Sequence, residues 1–152
     1  EGTEARRHEV RGEAVGEERT QMGKIKTFRD LVAWQKAMEL AGVVYRATGR
    51  MPDSERFGLT NQMRRAAVSV PSNIAEGYAR QSTIDYIKFL RVARGSLAEL
   101  STQVELAASL EMLPANATLV SLLEESDRVL QGLIRSLEAK LARNRRSQGP
   151  HT

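Results

Sequence analysis

The sequence predicts an all-α fold, an antiparallel up-down-up-down four-helix bundle, on three observations. Apolar residues recur at alternating intervals of three and four along four separate segments. Nowhere do apolar and polar residues alternate with the period of two that a half-buried strand requires. The breaks between segments are short, and short connections make successive helices run antiparallel.

In chain order, Leu31, Trp34, Met38, Ala41, Tyr45 and Thr48 form the expected seam of a first helix over about 28–48, with Thr27 and Asp30 as an N-cap pair. Residues 49–54 read as a turn, with Asp53 or Ser54 placed to cap the second helix. Helix two presents Leu59, Met63, Ala66, Val70, Ile74 and Tyr78. After a break at 77–82, Ser82 and Asp85 resemble a capping box, and helix three carries Tyr86, Leu90, Ala93, Leu97, Leu100, Val104 and Ala107. Leu113, Pro114, Ala115 and Asn116 end it. Helix four offers Leu119, Leu123, Ser126, Leu130, Leu133 and Leu137, widened by Leu122, Val129, Ile134 and Leu141.

Composition bounds the rest. A chain of 152 residues, 41% hydrophobic and 28% charged, has enough apolar material for one domain with a core. Residues 25–143 are expected to form the bundle and 144–152 a disordered basic tail. Residues 1–24 are expected to be a disordered or non-native extension, because residues 1–21 hold six glutamates, four arginines and only four apolar side chains. The codons of Gly16-Glu17-Glu18 would be purine-rich like a ribosome-binding site, which makes Met22 the expected start of the native protein. With no cysteine, disulfides and thiolate metal sites are out of reach, which fits the cytoplasm. No apolar run approaches the roughly 20 residues of a membrane-spanning helix.

A net charge of +4 is modest, but its distribution is uneven. Between residues 56 and 94 stand Arg56, Arg64, Arg65, Arg80, Lys88, Arg91 and Arg94 against Glu76 and Asp85 alone. Between residues 99 and 138 the sign reverses, and Glu99, Glu105, Glu111, Glu124, Glu125, Asp127 and Glu138 face only Arg128 and Arg135. A basic end comes next at Lys140, Arg143, Arg145 and Arg146.

The run from Gln62 to Gly77 is the least ordinary part of the chain. It reads as amphipathic helix, yet Pro71 removes a backbone donor and crowds the preceding turn, at a cost of roughly 3 kcal/mol in an ordinary helix interior. Asn73 lies beside its apolar stripe. Either Pro71 kinks the helix and Asn73 or a water bonds the carbonyls it frees, or Asn73 reaches a neighbouring helix or subunit and sets register. If helices two and three form a hairpin turning near residue 81, Gly95 and Ser96 face Ala66 and Ala67, small against small. The same geometry brings Glu99 towards Arg64 or Arg65.

Three stretches together carry a family resemblance: Phe28, Leu31 and Trp34-Gln35-Lys36-Ala37; Leu59-Thr60, Gln62, Arg64-Arg65-Ala66, Ser69, Pro71 and Asn73-Ile74-Ala75-Glu76-Gly77; and Phe89-Leu90, Ala93, Gly95-Ser96 and Glu99. Over about residues 24–140 the chain resembles the bacterial four-helix-bundle proteins encoded in intervening sequences of 23S ribosomal RNA genes. Those proteins are similar to the accessory variability determinants of diversity-generating retroelements. The resemblance implies a homo-oligomer, a pentamer on the retroelement pattern, that binds nucleic acid and takes a reverse transcriptase as partner.

Lys88, Arg91 and Arg94 recur every three residues with Arg80 just across the connection, so several cations can share one exposed face. With Arg64, Arg65, Arg143, Arg145 and Arg146 they are the candidate nucleic-acid contacts, RNA first. Pro71, Asn73, Gly77, Gly95 and Ser96 are the candidates for packing or oligomer register. A solvated face is the competing account of the cations, and the absence of interleaved aromatics argues against a single-strand stacking surface. A second function class stays open: a protein-protein scaffold whose charge asymmetry drives self-assembly without nucleic acid.

An enzyme is not expected, and neither is a metal or cofactor. The two histidines, His8 and His151, lie near the chain ends, and with no cysteine neither a Ser-His-Asp nor a Cys-His arrangement can be assembled in the bundle. The Glu-x-x-His pairs of carboxylate-bridged di-metal bundles and a phosphate-cradling glycine loop are both missing.

Overall fold

The computed structural model of the chain describes residues 25–149. Four helices make up the fold: α1 (Val32–Thr48), α2 (Leu59–Tyr78), α3 (Thr83–Ser109) and α4 (Ala117–Ser147). Short 3-10 turns at Phe28–Asp30 and Asp53–Glu55 precede α1 and α2, and no strand occurs among the described residues. Helix α2 packs on α1 and α3, and α4 closes the ring by packing on the same two. The core fills the centre, where Leu40, Met63, Ile74, Leu90, Leu100, Leu119 and Leu130 are fully buried. Each such side chain contributes on the order of 1.5–3 kcal/mol over its exposed state. No helix among the described residues is long and apolar enough to cross a membrane.

Most seams lie where their spacing puts them. All seven seam residues of α3 are buried, as are Met63, Ala66, Val70 and Ile74 on α2. Helix α1 is the exception: Leu31 and Thr48 are buried as expected, but between them the stripe is shifted by one residue. The buried stripe is Ala33, Ala37, Leu40, Val44 and Thr48, whereas Met38 and Tyr45 are 47% and 46% exposed. Apolar residues cover most of the circumference of α1, so spacing alone fits two stripes. The stripe that carries Ala33 and Ala37 lets neighbouring helices approach closely. On α4 the stripe centres on Leu119, Leu122, Leu123, Ser126, Leu130 and Ile134, with Leu133 and Leu137 only partly buried.

The helix ends refine the expected caps. Thr27 and Asp30 form a complete capping box, but it caps the 3-10 turn, and the extended backbone of Leu31 separates that turn from α1. Before α2, Glu55 rather than Asp53 or Ser54 accepts the orphan amide, that of Leu59, at 3.0 Å. Ser82 accepts from the Asp85 amide at 3.1 Å, and Asn116 from the Leu119 amide at 3.0 Å. Helix α3 ends at Ser109, four residues before the break read at Leu113. There Glu111 takes a left-handed φ of 57°, and the amides of Met112 and Glu111 reach back to the Ala107 and Ala108 carbonyls. This is the Schellman arrangement, with glutamate where glycine is usual.

The expected termini differ in outcome. Helix α4 continues to Ser147, so Arg145 and Arg146 lie with Arg143 on its last turns and not in a disordered tail. The extension expected over residues 1–24, with Met22 as start, lies outside the described residues, as do 150–152.

Gly77 fixes how closely α2 and α3 meet. A Cβ there would fall 2.8 Å from Phe89 Cβ and 3.1 Å from the Tyr86 carbonyl oxygen, both tied to the facing backbone. Gly77→Ala should therefore destabilise the fold by about 1–3 kcal/mol, the usual cost of overpacking, measured as a lowered urea midpoint. A second expectation concerns Asp30, whose carboxylate accepts from the Lys26 and Thr27 amides at 2.9 and 3.1 Å. Those bonds hold its pKa below the ordinary 3.8. A depressed carboxyl pKa stabilises the fold above that ordinary value and stops doing so as pH falls through the folded one. Asp30→Asn should lower the urea midpoint at neutral pH, and the difference from wild type should shrink as pH falls below the ordinary carboxyl value of 3.8.

Candidate nucleic-acid interface

Helix α2 runs unbroken through Pro71, which is buried on its core face. The proline leaves the Ala67 carbonyl without its usual i+4 donor. Asn73 does not fill that gap. Its side-chain amide donates to the Ser69 carbonyl at 2.8 Å and to Ser69 Oγ at 2.9 Å, and Ser69 Oγ lies 2.8 Å from Ser96 Oγ on α3. The result is a polar chain, Asn73–Ser69–Ser96, that ties α2 to α3 within one molecule. Ser69 enters the sequence reading only through the family resemblance and not as a packing candidate, although its place four residues before Asn73 is the signal that could have found it.

Gly95 and Ser96 part company. Ser96 is buried in that chain, while Gly95 is exposed, and a Cβ on it would meet nothing within 4 Å. The expectation that Gly95 permits close approach to Ala66 and Ala67 is therefore wrong. Gly95 lies one residue off the α2-facing stripe and opens instead onto a groove between α3 and α4, lined also by Arg91, Arg94, Ala98 and Asp127.

The arginines of α2 do not pair with Glu99. Arg64 Nε donates to Thr48 Oγ1 at 2.9 Å, an Nη2 proton reaches the Tyr45 carbonyl at 3.3 Å, and the guanidinium stacks 4.7 Å from the Tyr45 ring centroid. It thus serves the C-terminus of α1, where a cation satisfies late carbonyls and the helix dipole. Glu99 instead accepts from Gln103 Nε2 at 3.2 Å. Arg64 thus finds its partners on α1 and Glu99 finds one on its own helix. Arg65 is exposed and has no ion-pair partner among the described residues.

The basic face of α3 is largely occupied by α4. Arg91 meets Glu138 at 2.6 Å and Arg94 meets Asp127 at 3.1 Å. On the opposite side of α4, Lys36 of α1 lies 3.1 Å from Glu125. Arg80 turns back to Glu76 at 3.1 Å and lies 4.5 Å from the centroid of the Phe89 ring. Lys88 is exposed without an ion-pair partner among the described residues, and so are Arg143, Arg145 and Arg146. The spacing of Asp127 and Glu138, eleven residues and three turns apart on one face, is the sequence signal that could have revealed the straps.

Burial, and after it the neighbouring Tyr78, push the Tyr86 phenol well above its ordinary value, so it stays protonated. No group of three or more histidines, aspartates or glutamates placed to hold a metal occurs among the described residues.

Four helices, a sealed core and charge confined to the surface define a small helical-bundle protein. The particular family is the 23S rRNA-intervening sequence protein family, whose model matches residues 29–135, and the chain belongs to it. No curated protein matches the chain.

The straps are half-exposed, with Arg94 and Asp127 side chains 50% and 39% accessible, so each pair is worth little on its own. A double-mutant cycle of Arg94→Gln and Asp127→Asn should return a coupling of about 0.3–1 kcal/mol in low salt that fades in 1 M salt, where the screening length falls to about 3 Å.

Proposed function

We propose that the protein is a non-enzymatic homo-oligomeric bundle that binds RNA or DNA through cations on α2, α3 and the end of α4, RNA being the first candidate. The observation that carries this reading is that Lys88, Arg65, Arg143, Arg145 and Arg146 are exposed without a carboxylate partner among the described residues, whereas Arg80, Arg91 and Arg94 have one. Phosphate contacts from such residues would bind with steep salt dependence and weak sequence preference. Arg80, Arg91 and Arg94 would add to them where phosphate outcompetes a half-exposed carboxylate.

An up-down-up-down course is supported by the order of the contacts. Ser69 meets Ser96 while the later Gly77 meets the earlier Phe89, and Arg94 meets Asp127 while the earlier Arg91 meets the later Glu138. Self-association, as a pentamer on the resemblance to retroelement accessory proteins, is supported by the apolar side chains that α1, α2 and α3 leave outside, among them Met38, Tyr45, Val68 and Val92. A reverse transcriptase partner and a cytoplasmic location rest on that resemblance and on composition. The scaffold reading, in which acidic α4 surfaces of one copy pair with basic surfaces of another, is disfavoured because Glu125, Asp127 and Glu138 are already paired within the chain.

One salt series separates the two. Binding of structured RNA and duplex DNA is monitored by mobility shift, and oligomer mass by light scattering on the same samples. Nucleic-acid binding predicts a shift at low salt that is lost at high salt while the mass holds, and loss of the shift in K88E/R91E/R94E. A mass that falls with salt, and no shift at any salt, would reject the proposal in favour of the scaffold.

A further inference from the structure

Leu141 is the last residue of α4 packed against the core, and the helix continues past it to Ser147 with every side chain exposed. The physical reason is visible along its seam. Ile134, Leu137 and Leu141 are succeeded on the same side by Asn144 and Arg145, so nothing apolar remains to bury. Lys140 stands just before Leu141, the segment that leaves the bundle carries Arg143, Arg145 and Arg146, and no carboxylate side chain comes after Glu138 in the sequence. Cations in the last turn also suit the negative end of the helix dipole, which helps these turns stay helical without packing.

The arm has a fixed base. Arg91 meets Glu138 at 2.6 Å, Lys88 lies one turn before Arg91 on the same side of α3, and Ala142 lies one turn after Glu138. Lys88 therefore adjoins the root of the arm. Lys140 to Arg146 spans only about 9 Å at 1.5 Å per residue, so five cations gather in a small volume.

We propose that this arm, with Lys88 at its base, is the principal phosphate-gripping element and holds the backbone of a nucleic-acid duplex. The proposal rests on the nucleic-acid reading above and sharpens it in two ways. It moves the main contact from the α3 face, where Arg91 and Arg94 are strapped to α4, to the free end of α4. It also commits to a duplex, because residues 142–149 contain no aromatic side chain on which unpaired bases could stack. A helix 10–12 Å across fits the roughly 12 Å major groove of B-form DNA. On A-form RNA, whose major groove side chains cannot read, the same arm would lie over the shallow minor groove and its flanking phosphates.

The test compares the full chain with R143Q/R145Q/R146Q, with K88Q, and with R56Q as a control, on blunt duplexes of RNA and of DNA and on a single strand of the same length. Fluorescence anisotropy is read across a salt series, and circular dichroism confirms that each variant is folded. On duplex DNA the triple variant should lower the slope of log affinity against log salt by about 3, and K88Q by about 1, at 0.9 per phosphate contact. The triple variant should bind roughly tenfold or more weakly at moderate salt, while R56Q binds as wild type. Whichever duplex shows the larger loss identifies the partner as RNA or DNA. A triple variant that binds like wild type, with binding lost in K88E/R91E/R94E, overturns the arm and leaves the nucleic-acid reading intact. Equal binding of the single strand overturns the duplex assignment. No binding of wild type to any of the three at low salt overturns both readings.

Discussion

Between Gly77 and Ser96 the backbones of α2 and α3 come as close as the side chains allow, and the other contacts of the bundle are built around that approach. At one end the absence of a Cβ on Gly77 admits Phe89 and the Tyr86 carbonyl. Farther along, Ser69 and Ser96 replace a hydrophobic contact by a hydrogen bond that Asn73 holds in line. A part-buried polar chain of this kind is tolerable because its members serve one another, and it is specific because a slip in register would leave them unpaired. Pro71 lies in the same stretch, buried among Ala67, Val70 and Ile74, so the residue least suited to a helix sits where tertiary packing most strongly holds one.

Charge is arranged differently from packing, and at a smaller energy scale. Helix α4 is acidic along the sides that meet α1 and α3 and basic at its end, and the acidic part meets Lys36, Arg91 and Arg94. Each strap is half-exposed and contributes little to stability. Their effect is on which cations remain available. Of the basic face that the sequence presents, Arg80, Arg91 and Arg94 are held by carboxylates and Lys88 is left to solvent, while further unpaired cations stand where α4 has run out of apolar surface.

The bundle was legible in the sequence wherever a helix has one apolar stripe and one polar face. Helix α3 is the clean case, since each of its seam residues is buried. Helix α1 is the opposite case. It is apolar nearly all round, two stripes fit its spacing equally, and the burial of Ala37 rather than Met38 is set by the helices packed on it. The candidate interface was less legible still. That Arg64 would serve the end of α1, that Gly95 would face outward and that Arg91 and Arg94 would be strapped all depend on where another helix lies. Spacing within one helix carries no such information.

By itself the sequence determined the number of helices, most of their limits, the buried faces of α2 and α3, and the sign of the charge along each segment. These come from local periodicity, caps and composition, which act over a few turns of one chain segment. Only the tertiary structure decided which stripe of α1 is buried, what Arg64 bonds and which cations of α3 are paired. Those outcomes are largely pairings between side chains 16 to 47 residues apart. They come to light only when the helices are set side by side, because a hydrogen bond or an ion pair is decided by ångströms between elements and not by spacing within one.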